Sequence, residues 1–203
     1  MEGIHPRRIF VTGSPIKEVY IQMEKKFKKS SILNKLKLTP KKYIAASIHR
    51  EENVDKKGGL ELMVDSYNAL ANKYAFPVVV STHPRTLIRL KELDLIESSH
   101  SNIIWHKPFG LIDYIWLQKN SLCVVSDSGT IHEDASILNF PAIAIRNSTE
   151  KKESIEAGHV VITGLEPDDV LRSVDFLIND KIKINELPMP DEYNVDNVSS
   201  KVV

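Results

Sequence analysis

Short apolar or β-branched runs alternate with amphipathic stretches along almost the whole chain. The runs at 9–13 (IFVTG), 43–48 (YIAASI), 77–82 (PVVVST), 102–107 (NIIWHK), 122–127 (LCVVSD), 142–146 (AIAIR) and 159–164 (HVVITG) predict strands. The segments between them, 16–28, 59–74, 84–94, 111–119, 130–138, 151–157 and 167–179, predict helices. Within 59–74, Leu60, Val64, Tyr67, Leu70 and Ala71 recur at helical spacing and leave the charges on the opposite face. Strands with so few polar positions, separated by helices, predict an α/β fold: a parallel sheet covered by helices on both faces, with right-handed crossovers. The alternation fades in the closing INELPMPDEYNVDNVSSKVV, which is expected to wrap the surface.

At 203 residues the chain is long enough to bury a real core. Lys plus Arg and Asp plus Glu number 27 each, so bulk charge gives no argument for nucleic acid or an anionic membrane. Any anion must be bound by a local arrangement. The longest apolar runs are too short to cross a bilayer. The opening MEGIHPRRIF has no apolar leader core, and the single Cys123 lies inside an apolar run. A cytoplasmic protein without disulfides or a cysteine metal cluster is expected.

In open parallel α/β sheets ligands sit beyond the carboxyl ends of the strands, so the turns there are read for chemistry. After 122–127 comes SDSGTIHEDAS, residues 126–136. A helix opening near Gly129 presents unpaired backbone N–H groups, and its dipole favours an anion. Gly129 permits close approach, while Ser128 and Thr130 add hydroxyl donors. Thr130 and Asp134 share one helical flank, where a carboxylate below a phosphate can accept from a ribose. The same residues suit a plain helix cap, with Asp127 or Ser128 closing the end and the carboxylates offsetting the dipole. Local spacing leaves both readings open.

Residues 49–55, HREENVD, follow the run at 43–48. His49 and Arg50 can hold a phosphate and exchange a proton near neutral pH, with Glu51 and Glu52 orienting them. The alternative is a solvated charged loop. In HPRT (83–86), Pro84 suits a first helical turn, and His83 or Arg85 faces either the same cleft or solvent. In KPFGLIDY (107–114), Phe109 and Gly110 offer a flat apolar surface and backbone groups for a base, or simply pack on the core. RNSTEKKESIEAG (146–158) supplies Arg146, Thr149, Glu150 and Glu156. The seven histidines lack metal-ligand spacing, and neither a metal nor another cofactor is expected. Taken together, the polar turns on one rim describe a nucleotide site.

SIHREENVD, STHPRT, KPFGLIDY, VVSDSGTIHEDASILNFPAIAIR and STEKKESIEAG, in this order and spacing, resemble the non-hydrolysing UDP-N-acetylglucosamine 2-epimerases. YAFPVVVSTHPRT, VVSDSGTI and SILNFPA are most similar to the branch acting on UDP-2-acetamido-2,6-dideoxy-talose. The resemblance implies one Rossmann-like half of the two-domain GT-B architecture. Residues 1–181 would form the UDP-binding domain, and 182–203 a surface tail leading to a shortened crossing helix. It also implies inversion at C2 of a UDP-N-acetylhexosamine by elimination and re-addition of UDP. Ser128, Gly129 and Thr130 would hold the diphosphate, Asp134 the ribose hydroxyls, and Phe109 would lie by the uracil. His49 would be the catalytic histidine near the leaving phosphate, and Arg85 and Arg146 would line the cleft. The family's usual Gly, Gln and Glu are Thr130, His132 and Asp134 here, and Ser14 replaces an Asn. The carboxylates that move protons at C2 belong to the family's other domain, so a separate amino-terminal partner is expected. A homodimer is left open. Two other functions fit the same residues: the donor domain of a GT-B glycosyltransferase, and a non-catalytic remnant.

Overall fold

The computed structural model describes residues 5–146, 151–179 and 184–202. Its helices are α1 (Ile16–Phe27), α2 (Ile32–Lys35), α3 (Glu51–Val54), α4 (Gly59–Tyr74), α5 (Pro84–Glu92), α6 (Leu111–Asn120), α7 (Ile131–Leu138), α8 (Glu153–Glu156), α9 (Pro167–Asn179) and α10 (Val198–Val202). The strands are β1 (Ile44–Ile48), β2 (Val78–Thr82), β3 (Ile103–His106), β4 (Val124–Ser126), β5 (Ala142–Ile145) and β6 (Val160–Thr163). They form one parallel sheet in the order β3-β2-β1-β4-β5-β6. Two βαβαβ halves thus run outward in opposite directions from β1 and β4, the Rossmann-like arrangement, and the order reverses between those two strands.

The strands are buried on both faces because their side chains alternate between two apolar layers. Ile44, Ala46, Ile48, Val78, Val80, Val125, Ile143 and Ile145 pack toward α4 and α9. Tyr43, Ala45, Val79, Val124, Ala142 and Ala144 pack on the other side with Leu117 of α6 and Ile131 and Ala135 of α7. In α4 the five residues at helical spacing are all buried, with Met63 added to their face.

The strand expected at 9–13 does not form. Residues 9–14 carry no strand, and Phe10 and Val11 are each 85 % exposed. The apolar alternation there has no neighbouring strand to pair with, and a strand without a ladder is not stable. Two one-turn helices, α2 and α3, were outside the sequence expectation, since four residues are too few to display a period.

The closing segment does wrap the surface, and it fastens α1. Ser14 N donates to the Glu192 carbonyl at 2.9 Å, and Lys17 Nζ bridges Asn194 Oδ1 at 2.9 Å and Asp196 Oδ1 at 2.7 Å. Glu18 accepts from Val198 N and Ser199 Oγ. Gly13, at φ +91°, is where the two segments cross, because a Cβ there would lie 2.7 Å from the Val195 side chain. The boundary expected between 181 and 182 lies outside the described residues. No helix among the described residues is long and apolar enough to cross a membrane.

Candidate functional site

The site is built where the sheet order reverses, from the turns that leave β1 and β4. Ser47 and Ser126, the paired residues near the ends of these strands, join their hydroxyls at 2.6 Å inside the protein. Ser126 Oγ also accepts from Ser128 N at 3.0 Å, which bends the chain into its turn. Asp127, fully buried, is the central clamp. Its carboxylate accepts from His49 N at 2.9 Å, Arg50 N at 3.0 Å and Asn53 Nδ2 at 3.1 Å, and its carbonyl accepts from Arg50 Nε at 2.9 Å. The plain-cap reading of Asp127 is therefore wrong. Its carboxylate reaches sideways to the β1 turn and does not close α7.

Helix α7 opens without a side-chain cap from Thr130, its first flanking residue. Ser128 Oγ lies 3.1 Å from Thr130 Oγ1 and accepts weakly from Thr130 N at 3.4 Å. The space above Gly129 is bordered by charge. A Cβ built there would find Arg146 Nη1 and Arg50 Nη2, each at 3.8 Å. Arg146 Nε is buried with no hydrogen-bond partner among the described residues. Two guanidinium groups beside an opening helix end make a local anion cradle in a chain of zero net charge.

Asp134 is 4 % exposed, and both of its oxygens are engaged. Oδ1 accepts from Tyr20 Oη of α1, and Oδ2 from Thr130 Oγ1 at 3.5 Å. Burial pushes its carboxyl up to about 6, against the opposing pull of Tyr20, Gln118 and Thr130 as hydrogen-bond partners. His132, which the sequence places in the same helix, points away. It is fully buried with Nδ1 2.6 Å from Ser154 Oγ, and burial, Arg146 and Lys151 push it down to about 4.

His49 sits at the rim. It lines a cavity of about 200 Å³ with Val54, His83, Arg85 and Thr86. Desolvation lowers its pKa, Asp127 opposes this, and nearby His83 adds to it, which favours the uncharged ring. Arg85 shares that cavity and pairs with Asp55 at 3.0 Å, while His83 Nδ1 accepts from Arg85 N at 3.3 Å and opens α5. The structure thus brings His49 and Arg85 together on one side, and Arg50, Arg146 and Ser128–Thr130 together on the other.

Phe109 follows β3 and is not a bare surface. Its ring stacks on His106 at 4.0 Å and 4°, lies parallel to Tyr114 at 6.4 Å, and packs against the cluster that holds Ile131. Glu156 is exposed; Thr149, Glu150 and the side chains of Glu51 and Glu52 lie outside the described residues. Sequence reasoning did not single out Tyr20 or Asn53, and it weighed Asp127 only as a cap. Tyr20 stands 114 positions from Asp134, so no local pattern connects them.

A family model described as UDP-N-acetylglucosamine 2-epimerase matches residues 1–203. UDP-N-acetylglucosamine 2-epimerase of Methanocaldococcus jannaschii is 32 % identical over 186 residues, which cover 89 % of this chain and 50 % of that protein. A solved UDP-N-acetylglucosamine 2-epimerase from Rickettsia bellii is 37 % identical, with a TM-score of 0.84 over 99 % of this chain and 53 % of its own. The M. jannaschii enzyme solved in complex with UDP-GlcNAc and UDP is 29 % identical, with a TM-score of 0.87 over 99 % of this chain and 55 % of its own. The chain spans about half the length of the curated relatives it matches. Sheet order, the turns at its reversal and this match agree: the chain belongs to the UDP-N-acetylglucosamine 2-epimerase family.

Proposed function

We propose that this chain is the UDP-binding half of a UDP-N-acetylhexosamine 2-epimerase and holds the nucleotide sugar at the reversal point between β1 and β4. The observation that carries this reading is the pair of guanidinium groups at the Gly129 turn, with Arg50 Nη2 and Arg146 Nη1 each 3.8 Å from where a Cβ on Gly129 would stand. In this reading the diphosphate rests on the turn Ser128-Gly129-Thr130, and the two guanidinium groups offset its charge. The uracil lies by Phe109, meeting the edge of the His106–Phe109–Tyr114 stack. Residues 1–181 form the nucleotide domain and 182–203 the clasp over it. The solved relative bound to UDP-GlcNAc and UDP supports the ligand class.

Breaking the bond between C1 and the diphosphate places negative charge on the leaving oxygens. Donors fixed before that moment lower the barrier, each by about 2.7–4 kcal/mol. In this reading the Gly129 amide, the Ser128 hydroxyl and Arg146 are such donors. In the same reading His49, whose backbone N–H is tied to Asp127 and whose ring pKa is lowered, shares a proton with the departing phosphate. Arg85 supports that side of the cleft. Proton removal and return at C2 fall to an amino-terminal epimerase domain, which is part of the proposal. The motifs shared with the deoxy-talose branch favour UDP-2-acetamido-2,6-dideoxy-talose among N-acetylhexosamines.

Calorimetry of the 203-residue chain with UDP tests the reading. Binding is expected, and Arg146→Ala is expected to weaken it about tenfold, the worth of one charged hydrogen-bond donor. No heat at millimolar UDP sinks the assignment. Sugar transfer to an acceptor by the chain combined with its amino-terminal partner, in place of C2 proton exchange with solvent, would favour a glycosyltransferase.

A further inference from the structure

We propose that a stripe of lysines between residues 25 and 42, completed by Lys119, is a docking surface for an anionic lipid bilayer. The proposal concerns a different part of the molecule from the nucleotide site and does not depend on it. Bulk charge gives no reason to expect such a surface, but the charge is unevenly spread. Residues 25–42, KKFKKSSILNKLKLTPKK, hold eight lysines, no arginine and no acidic residue. The rest of the chain carries 19 basic against 27 acidic residues, a net charge of −8.

The fold turns this segment into a surface. Ile32 and Leu38 are buried, and Leu33 and Leu36 pack on the same apolar cluster, while all eight lysines are exposed. Ser30 Oγ donates to Asp113 Oδ1 at 2.6 Å in the first turn of α6. At the other end of α6, Lys41 Nζ donates to the carbonyls of Lys119 at 3.1 Å and Ser121 at 2.9 Å. The stripe therefore follows α6 for about 15 Å, the rise of its ten residues. Helix α6 begins where β3 ends, so its last turn lies at the amino ends of the strands, away from the nucleotide turns. Lys119 joins the stripe there. With Lys28, which bonds it directly, and Lys25, it holds the Glu24 carboxyl below its usual range. Among the described residues Lys28, paired with Glu24 at 2.6 Å, is the one lysine of the segment in an ion pair.

The residue types favour a bilayer over a nucleic acid or an acidic protein. Lysine is a compact, hydrated point charge suited to diffuse attraction, whereas paired recognition of single phosphates or carboxylates uses the planar fork of arginine. The one aromatic residue of the segment, Phe27, is buried, so unstacked bases find no platform. Leu111, 48 % exposed, borders Lys26 and Lys29 and offers an apolar contact at the headgroup boundary. The negative remainder of the chain is repelled by the same lipids, which turns the stripe toward them.

The test is co-sedimentation of the full 203-residue chain with vesicles of phosphatidylcholine alone, or with about 30 % phosphatidylglycerol. Each lysine held at an anionic surface is worth about fivefold in affinity. At about 0.1 M salt, binding to the anionic vesicles is expected to exceed binding to the neutral ones at least tenfold, and to vanish near 1 M salt. The variant K25Q/K29Q/K35Q/K42Q is expected to bind about twentyfold more weakly or worse, the worth of two lysines in contact. Removing the same charge from exposed lysines elsewhere, in K56Q/K57Q/K91Q/K201Q, is expected to change binding less than about threefold. Thermal melts show whether the variants fold; if the first does not, the wild-type comparison of the two vesicles decides alone. Equal binding to both vesicles, binding to neither, or equal losses in the two variants overturns the proposal. Binding to a DNA duplex at the same salt, with the anionic vesicles left unbound, overturns it in favour of nucleic acid.

Discussion

His132 illustrates how one position can sit in a functional motif and do structural work. It lies between Thr130 and Asp134, yet its imidazole is sealed against Ser154 and held neutral, down to about 4. A histidine whose folded pKa is lowered contributes its stability above the unfolded value, near 6.5, and loses it as pH falls toward the folded one. Below pH 6.5 the unfolded chain takes up a proton that the folded chain refuses. At pH 4.5 this amounts to about 2 kcal/mol. Denaturant midpoints of wild type and His132→Gln, measured from pH 7.5 to 4.5, should show the wild type losing more stability by that amount. His159, also buried with its pKa lowered by burial, is present in both proteins and cancels in the difference. Parallel pH curves would mean that His132 titrates normally.

At the scale of elements, the two turns that make the site are not independent loops. Asp127 at the end of β4 holds the backbone of His49 and Arg50 after β1 and the side chain of Asn53 in α3. Replacing it with Ala leaves those buried donors without an acceptor, each costing about 1–3 kcal/mol. Asp127→Ala should therefore lower stability by about 3 kcal/mol and weaken UDP binding severalfold, although Asp127 has no place in the cradle itself. Asp127→Asn, which keeps one acceptor oxygen, should fall between. Thermal melts and calorimetry on the same samples decide this. An alanine variant within about 0.5 kcal/mol of wild type would show that the turns hold their shape unaided. This element-level coupling also explains why the turn needs no side-chain cap on α7: its geometry is set from β1.

For the whole molecule, the open question is the face around residues 9–11. Ile9 is 54 %, Phe10 85 % and Val11 85 % exposed, and Ile21 on α1 adds 63 %. Apolar side chains this exposed and this close in sequence favour association. Light scattering of the chain alone should show mass rising with concentration. Phe10→Ser with Val11→Ser should weaken that association about tenfold or more, since each buried side chain of this size contributes about 1.5–3 kcal/mol. A clean monomer at all concentrations would mean that this segment covers itself.

Much of this protein was legible along the chain. Six of the seven expected strands and six of the seven expected helices appear close to their expected bounds, the stretch at 151–157 shrinking to the single turn α8, because burial on two faces writes continuous apolar runs into the strands and a 3.6-residue stripe into α4. The motif SDSGTIHEDAS and the pair His49-Arg50 were also readable, since helix ends and strand ends demand particular residue types locally. What the chain alone did not decide is whether an apolar run finds a partner, as residues 9–13 do not, or which way a polar side chain turns. Asp127 and Asp134 are both aspartates beside one glycine turn. Only the packed fold sends the first across to β1 and the second inward to Tyr20. Local propensity depends on neighbours a few residues away, whereas a buried carboxylate takes its direction from whichever donor the tertiary fold brings to it, and in this protein those donors lie 77 and 114 residues distant.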